Sequence, residues 1–135
     1  MLGDLWSFQG RYRTLHLTWF AFFLTFVVWF NLAPLATTVR ADLNLDIGQI
    51  RTVAICNVAL TIPARVLIGM LLDKFGPRIT YSSILVFSAI PCLMFASAQD
   101  FNQLVVSRLL LSIVGAGFVI GIRMVAEWFP PKEIG

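Results

Sequence analysis

From Leu15 to Val39 the chain carries no Asp, Glu, Lys or Arg, and a bilayer crossing needs about 20 largely apolar residues. The run predicts a first membrane helix over about 15–40, preceded by a segment over 1–14. Pro34 lies inside it, where neighbouring helices make a kink tolerable. Arg40, Asp42, Asn44 and Asp46 then form a short wet loop. Asp46 followed by Gln49 has the spacing of a reciprocal N-cap, which starts a second helix over about 47–72 with Arg51 near its mouth and Arg65 deep inside. Asp73 to Arg78 reads as a tight turn with Gly76 and Pro77 as breakers. A third helix over 79–98 has no charged side chain. Gln99, Asp100 and Asn102 mark the next turn. A fourth helix over 101–129 contains Arg108 and Arg123 and stops at Pro130 and Pro131, which cannot continue the hydrogen-bond ladder.

Composition sharpens the class. Of 135 residues, 59% are hydrophobic and 13% charged, whereas soluble domains are about 45–50% apolar and about 25% charged. An all-α integral membrane protein is therefore expected. The net charge of +3 comes from dispersed basic residues, which argues against nucleic acid. Cys56 and Cys92 lie in apolar stretches and read as packing residues. No metal cluster, no nucleophile with its base and no phosphate loop can be assembled around the single histidine, His16, so neither an enzyme nor a cofactor is expected. The first apolar run is too long for a secretory signal. Arg11, Arg13, Lys74, Arg78 and Lys132 fall on one side of the four helices, which places both termini in the cytoplasm of a cell membrane. Residues 132–135 read as an unfinished loop, so membrane lipids and further C-terminal helices of the same protein are the expected neighbours.

Arg65 carries the first candidate chemistry, because a permanent cation inside a span faces a cavity, a partner or a transport path unless it snorkels to the headgroups. Asn57, Thr61, Arg65, Gly69 and Asp73 recur every four residues. That stripe suits a protein-lined aqueous path, with interhelical glue as the other reading. The planar fork of Arg fits flat oxyanions, and no span carries a central Asp or Glu for a cationic substrate. In the fourth helix Gly115, Gly117 and Gly121 read as close-packing positions. Phe118 lies at a depth that the Arg65 side chain can approach, although core or lipid contact is the plainer reading. Arg123 and Glu127, four apart, can pair as a structural clamp.

The run Gly69-Met-Leu-Leu-Asp73-Lys74-Phe-Gly76-Pro-Arg78 resembles the G-x-x-x-D-[RK]-x-G-x-[RK] signature between the second and third helices of the major facilitator superfamily. The resemblance implies a latch between two transporter halves, with Gly69, Asp73, Lys74, Gly76 and Arg78 as gating residues and Glu127 as a candidate partner for the cations. Arg108 and the glycines after it resemble that family's fourth-helix motif only loosely. Ala64-Arg65-Val-Leu-Ile-Gly69 and Gly115-Ala-Gly-Phe118-Val-Ile-Gly121, through Glu127-Trp-Phe-Pro130, resemble more closely the nitrate/nitrite porter family, cyanobacterial-type nitrate permeases above all. This implies four transmembrane helices of a six-helix N-terminal bundle, with Arg65 contacting the anion and Phe118 packing on its flat face. The implied activity is secondary active transport of nitrate, with nitrite as a second substrate, by alternating access. The four helices alone are expected to be inactive. Two other classes compete: a four-helix oligomeric exporter, and a scaffold or assembly subunit in which the polar stripe is glue.

Overall fold

Helix formation begins ahead of the uncharged run. In the computed structural model, which describes residues 8–130 and 132, α1 spans Gly10–Phe30. Arg11 and Arg13 are therefore helical, and the boundary expected at residue 15 moves toward the N-terminus. The backbone ladder does not require apolar side chains, and basic side chains at the end of a span can reach the headgroup layer. Residues 1–7 of the expected leading segment, with Pro131 and residues 133–135, lie outside the described residues.

Proline shapes the rest of the first span and the second. Pro34 offers no N–H to the carbonyl of Phe30, and the first span is interrupted at Asn31 before α2, Leu32–Asp42. The expected N-cap is present in full: Asp46 Oδ1 accepts the Gln49 N–H at 2.7 Å and Gln49 Oε1 accepts the Asp46 N–H at 3.0 Å. It starts α3, Ile47–Ala59. The second helix, expected to be continuous, breaks at Leu60 before α4, Thr61–Phe75. Pro63 is the cause, since it leaves the carbonyl of Ala59 without a donor. α4 also runs past Leu72, so Asp73 and Lys74 belong to its last turn and not to a connecting turn.

Gly76 and Pro77, expected as a pair of breakers, divide the work. Gly76 stops α4 with φ +78, a left-handed conformation that favours glycine. Pro77 begins α5, Pro77–Ala96, at a first-turn position where its missing donor has no intrahelical partner to lose. Asp100 Oδ1 accepts the Gln103 N–H at 2.8 Å and caps α6, Phe101–Ser112. A 3-10 segment, Ile113–Ala116, separates it from α7, Gly117–Trp128.

These elements join into four spans, Gly10–Asp42, Ile47–Phe75, Pro77–Ala96 and Phe101–Trp128, each long and apolar enough to cross a membrane. The all-α reading holds, with no strand among the described residues. Half of the fourth span's apolar window is buried against 11% of the first, so the fourth is the hub: α3 packs on α6, α1 on α7, and α5 on both. Two separate apolar cores result. One gathers Ile68, Leu72, Tyr81, Ile84, Ile120 and Met124 at the Asp73 end, and the other gathers Leu32, Leu45, Val53 and Leu104 at the Asp46 end. The breaks at Asn31, Leu60 and Ile113 lie 12, 14 and 13 residues from Leu43, Asp46 and Asp100. At 1.5 Å per residue all three sit about 18–21 Å from the same end.

Candidate functional site

A helical stripe of period four turns by about 40° at each step, because 3.6 residues make one turn. The structure divides the stripe accordingly. Asn57 and Thr61 are buried, Gly69 is half-buried, and Arg65 and Asp73 are exposed. The buried pair is interhelical glue and no water path. Asn57 Nδ2 donates to the carbonyl of Trp29 at 2.9 Å, and Trp29 Nε1 donates to the carbonyl of Asn57 at 2.8 Å. Thr61 Oγ1 donates to the carbonyl of Ser112 at 2.9 Å, while the Leu60 N–H donates to Ser112 Oγ at 3.1 Å. Side chains and backbone from the neighbouring spans thus take up polar groups around the interrupted second span.

Arg65 leaves the second turn of α4 on the exposed side. Among the described residues it makes no hydrogen bond, ion pair or ring contact, so its fork of donors is free. Phe118 opens α7 with its ring half-exposed, tilted against Phe22 at 5.8 Å between centroids. It lines a cavity of about 280 Å³ with Trp19, Phe22 and Ile122. The structure does not bring Arg65 and Phe118 into contact.

The residues expected to gate cluster at the Asp73 end. Lys74 Nζ lies 5.3 Å from the centre of the Phe75 ring, and the Arg78 guanidinium lies 5.9 Å from that of Trp128. These cation–π contacts are worth about 0.5–1 kcal/mol at exposed sites. Arg78 also lines a cavity of about 610 Å³ between α1, α5 and α7, together with Arg13, Thr14 and Ser82. Glu127 engages Arg123 Nε at 3.1 Å, as their i, i+4 spacing suggests, and neither Lys74 nor Arg78. Asp73 has no ion-pair partner among the described residues. No group of three His, Cys, Asp or Glu side chains among them could hold a metal.

The three glycines differ in how closely they are approached. A Cβ on Gly115 would fall 2.7 Å from the Trp29 ring, one on Gly117 would lie 3.4 Å from Thr25, and one on Gly121 3.7 Å from Phe22. Gly115 is therefore where the first and fourth spans need a missing side chain.

The residue that sequence reasoning undervalued is Arg108. It is fully buried, donates to Asn57 Oδ1 at 3.3 Å and to Asn31 Oδ1, and stacks 3.9 Å from the centre of the Phe95 ring. Among the described residues its Nε has no hydrogen-bond partner and no carboxylate pairs with the cation, whose bonded and stacked neighbours are two amides and an aromatic face. The signal was present in three places, as an Arg and two Asn residues in otherwise apolar runs, but their meeting depends on how the spans pack.

The family model of the Major Facilitator Superfamily matches residues 18–135. The nitrate/nitrite transporter NrtP of Picosynechococcus sp. is 69% identical over 135 residues, all of this chain and 25% of that protein. The protein of the same name from Nostoc punctiforme is 70% identical over 135 residues, again all of this chain and 27% of its own. A probable nitrate/nitrite antiporter, NarK1 of Thermus thermophilus, is 31% identical over 128 residues, covering 93% of this chain and 28% of its own. The chain thus spans about a quarter of the curated relatives it matches. No solved structure matches it significantly.

Proposed function

The chain belongs to the major facilitator superfamily, and from that premise we propose that it forms part of a secondary active transporter of nitrate and nitrite that works by alternating access. One observation carries the reading: identity of 69% and 70% along its whole length to two proteins named nitrate/nitrite transporters. The remaining three quarters of such a transporter supplies further helices of the same protein. A multi-pass membrane protein follows from the four spans and these relatives. Its place in the cell membrane, with the N-terminus cytoplasmic, rests on the loop charges.

Within this reading Arg65 is the fixed charge of the substrate site. Its donors are free, it sits in an apolar helix, and a guanidinium can give a flat oxyanion two parallel hydrogen bonds without ever losing its proton. Phe118 offers an exposed ring for the anion's face. Gly69, Asp73, Lys74, Gly76 and Arg78 form the latch, with Asp73 left unpaired for a cation of the other half. Glu127 reaches that latch only by releasing Arg123. The transport reading displaces the small-exporter and scaffold alternatives, because the relatives are about four times longer and are named as transporters.

The direct test is Arg65→Lys in the intact transporter. An ammonium keeps the charge but loses the fork, and a charge-assisted hydrogen bond is worth about 1.5–3 kcal/mol, so the apparent KM for nitrate uptake should rise roughly tenfold to a hundredfold. An unchanged KM refutes direct contact.

A further inference from the structure

The cavity of about 610 Å³ between α1, α5 and α7 is lined by neither Arg65 nor Phe118, and the transport reading leaves it unused. Three span ends meet at its mouth: Gly10 is the first residue of α1, Arg78 the second of α5 and Trp128 the last of α7, and all three line it. It runs inward past Leu17, Ala21 and Leu85. Leu17 and Ala21 lie 7 and 11 residues beyond Gly10, and Leu85 lies 7 beyond Arg78. At 1.5 Å per residue the cavity reaches about 10–16 Å into the spans.

Its two ends differ in chemistry. Arg13 and Arg78 bring two permanent cations to the mouth, with the hydroxyl residues Thr14 and Ser82 on the same two helices. Arg13 makes no hydrogen bond, ion pair or ring contact among the described residues. Arg78 meets only the ring of Trp128, a contact that leaves the in-plane donors of a guanidinium available. Among the described residues no Asp or Glu lines the cavity. Deeper in, Leu17, Ala21, Leu85 and Met124 dominate the walls, and the Thr18 hydroxyl is already committed to the Thr14 carbonyl and the Met124 sulfur, both at 2.8 Å.

We propose that this cavity binds an anionic phospholipid of the leaflet at the Arg78 end, its phosphodiester held by Arg13 and Arg78 and one acyl chain laid along Leu17, Ala21 and Leu85. A guanidinium gives a phosphate two parallel charge-assisted hydrogen bonds. A free inorganic anion would use the mouth alone, and an uncharged apolar molecule would leave both arginines unanswered. An amphiphile with an anionic head matches both ends. The volume lies within the range of about 300–1,000 Å³ usual for small-molecule sites. Trp128 stands where an indole suits the headgroup level. The loop charges put this end in the cytoplasm, on the side of the leaflet that is rich in anionic lipid. Any basic residue at this level meets headgroups in passing, and the cleft beside these two is what retains one lipid.

Binding of this kind needs the spans in a bilayer and no nitrate, so a failure of the transport reading leaves it standing. The intact transporter would be placed in phosphatidylcholine vesicles holding a trace of either phosphatidylglycerol or phosphatidylcholine with a photoactivatable acyl chain. Labelled residues would then be mapped by mass spectrometry. Each arginine near an anionic surface accounts for about fivefold in affinity, so the phosphatidylglycerol probe should mark the stretches around Leu17 and Leu85 at least about fivefold more than the phosphatidylcholine probe. Unlabelled phosphatidylglycerol should abolish the excess, and inorganic phosphate should not. Arg13→Gln should lower the ratio of the two probes about fivefold, and Arg13→Lys, which keeps the charge without the fork, should recover it in part. Equal marking by the two probes overturns the lipid site, and this wild-type comparison decides even if Arg13→Gln fails to fold. An excess abolished by inorganic phosphate would show a free-anion site and overturn it as well. Absence of marking by either probe would mean that the remaining helices fill the cleft, which also refutes it.

Discussion

Two arginines inside the spans receive opposite treatment, and the difference shows what each can do. Arg108 has committed two donors to asparagines and one face to Phe95, so an incoming anion would have to displace existing partners. Arg65 has no such partners among the described residues, so an anion reaching it would displace none. The same contrast separates the glycines. Gly115→Ala drives a Cβ into the Trp29 ring, and that ring cannot move freely because its Nε1 is bonded to the Asn57 carbonyl. Overpacking of this kind costs about 1–3 kcal/mol. Gly121→Ala meets only ordinary contact and gains up to about 1 kcal/mol of helix propensity. Thermal unfolding of the two variants in the intact transporter should therefore show a lowered midpoint for Gly115→Ala and an unchanged or raised one for Gly121→Ala. Equal midpoints would mean that Trp29 gives way more easily than its bonds suggest.

At the scale of elements, the four spans were legible because uncharged runs separated by wet loops have few other solutions. The capping box at Asp46 was equally legible, since it depends on neighbours three residues apart. The break at Leu60 was written in the chain as Pro63 yet goes unread if hydropathy alone is followed. By contrast, the 3-10 segment at Ile113–Ala116 has no proline to announce it, and it arises where the fourth span meets Trp29, Leu60 and Thr61 of two others. The candidate site was legible residue by residue and not in its groupings: periodicity put Asn57, Thr61 and Arg65 on one stripe, while packing turned the first two inward. Pro63→Ala tests the role of the second-span break. Alanine restores a donor for the Ala59 carbonyl and is favoured over proline in a helix interior by about 3 kcal/mol, so the thermal midpoint should rise. If the break serves motion, the uptake rate should fall in the same variant. A raised midpoint with undiminished uptake would leave the break without a mechanical role.

For the whole molecule, the decisive feature is how much apolar surface the four spans leave uncovered. Leu17, Phe20, Val27 and Phe30 of the first span and Ile62, Val66 and Met70 of the second are exposed. In a bilayer such surface meets lipid or further helices without penalty. Arg65 shares the outer side of α4 with three of these residues, so four spans alone present a lone guanidinium beside apolar side chains, with no opposing wall. A single open charge holds a small anion weakly, because water competes for every donor, and alternating access needs a second body against which the first can move. Liposomes containing only these 135 residues should therefore accumulate labelled nitrate no faster than protein-free vesicles. Co-expression with the remaining helices as a second polypeptide should restore uptake, because the apolar faces of the two pieces can pack within the membrane. Substantial accumulation by the short chain alone would show that it builds a complete path by self-association, and would return the four-helix exporter to first place.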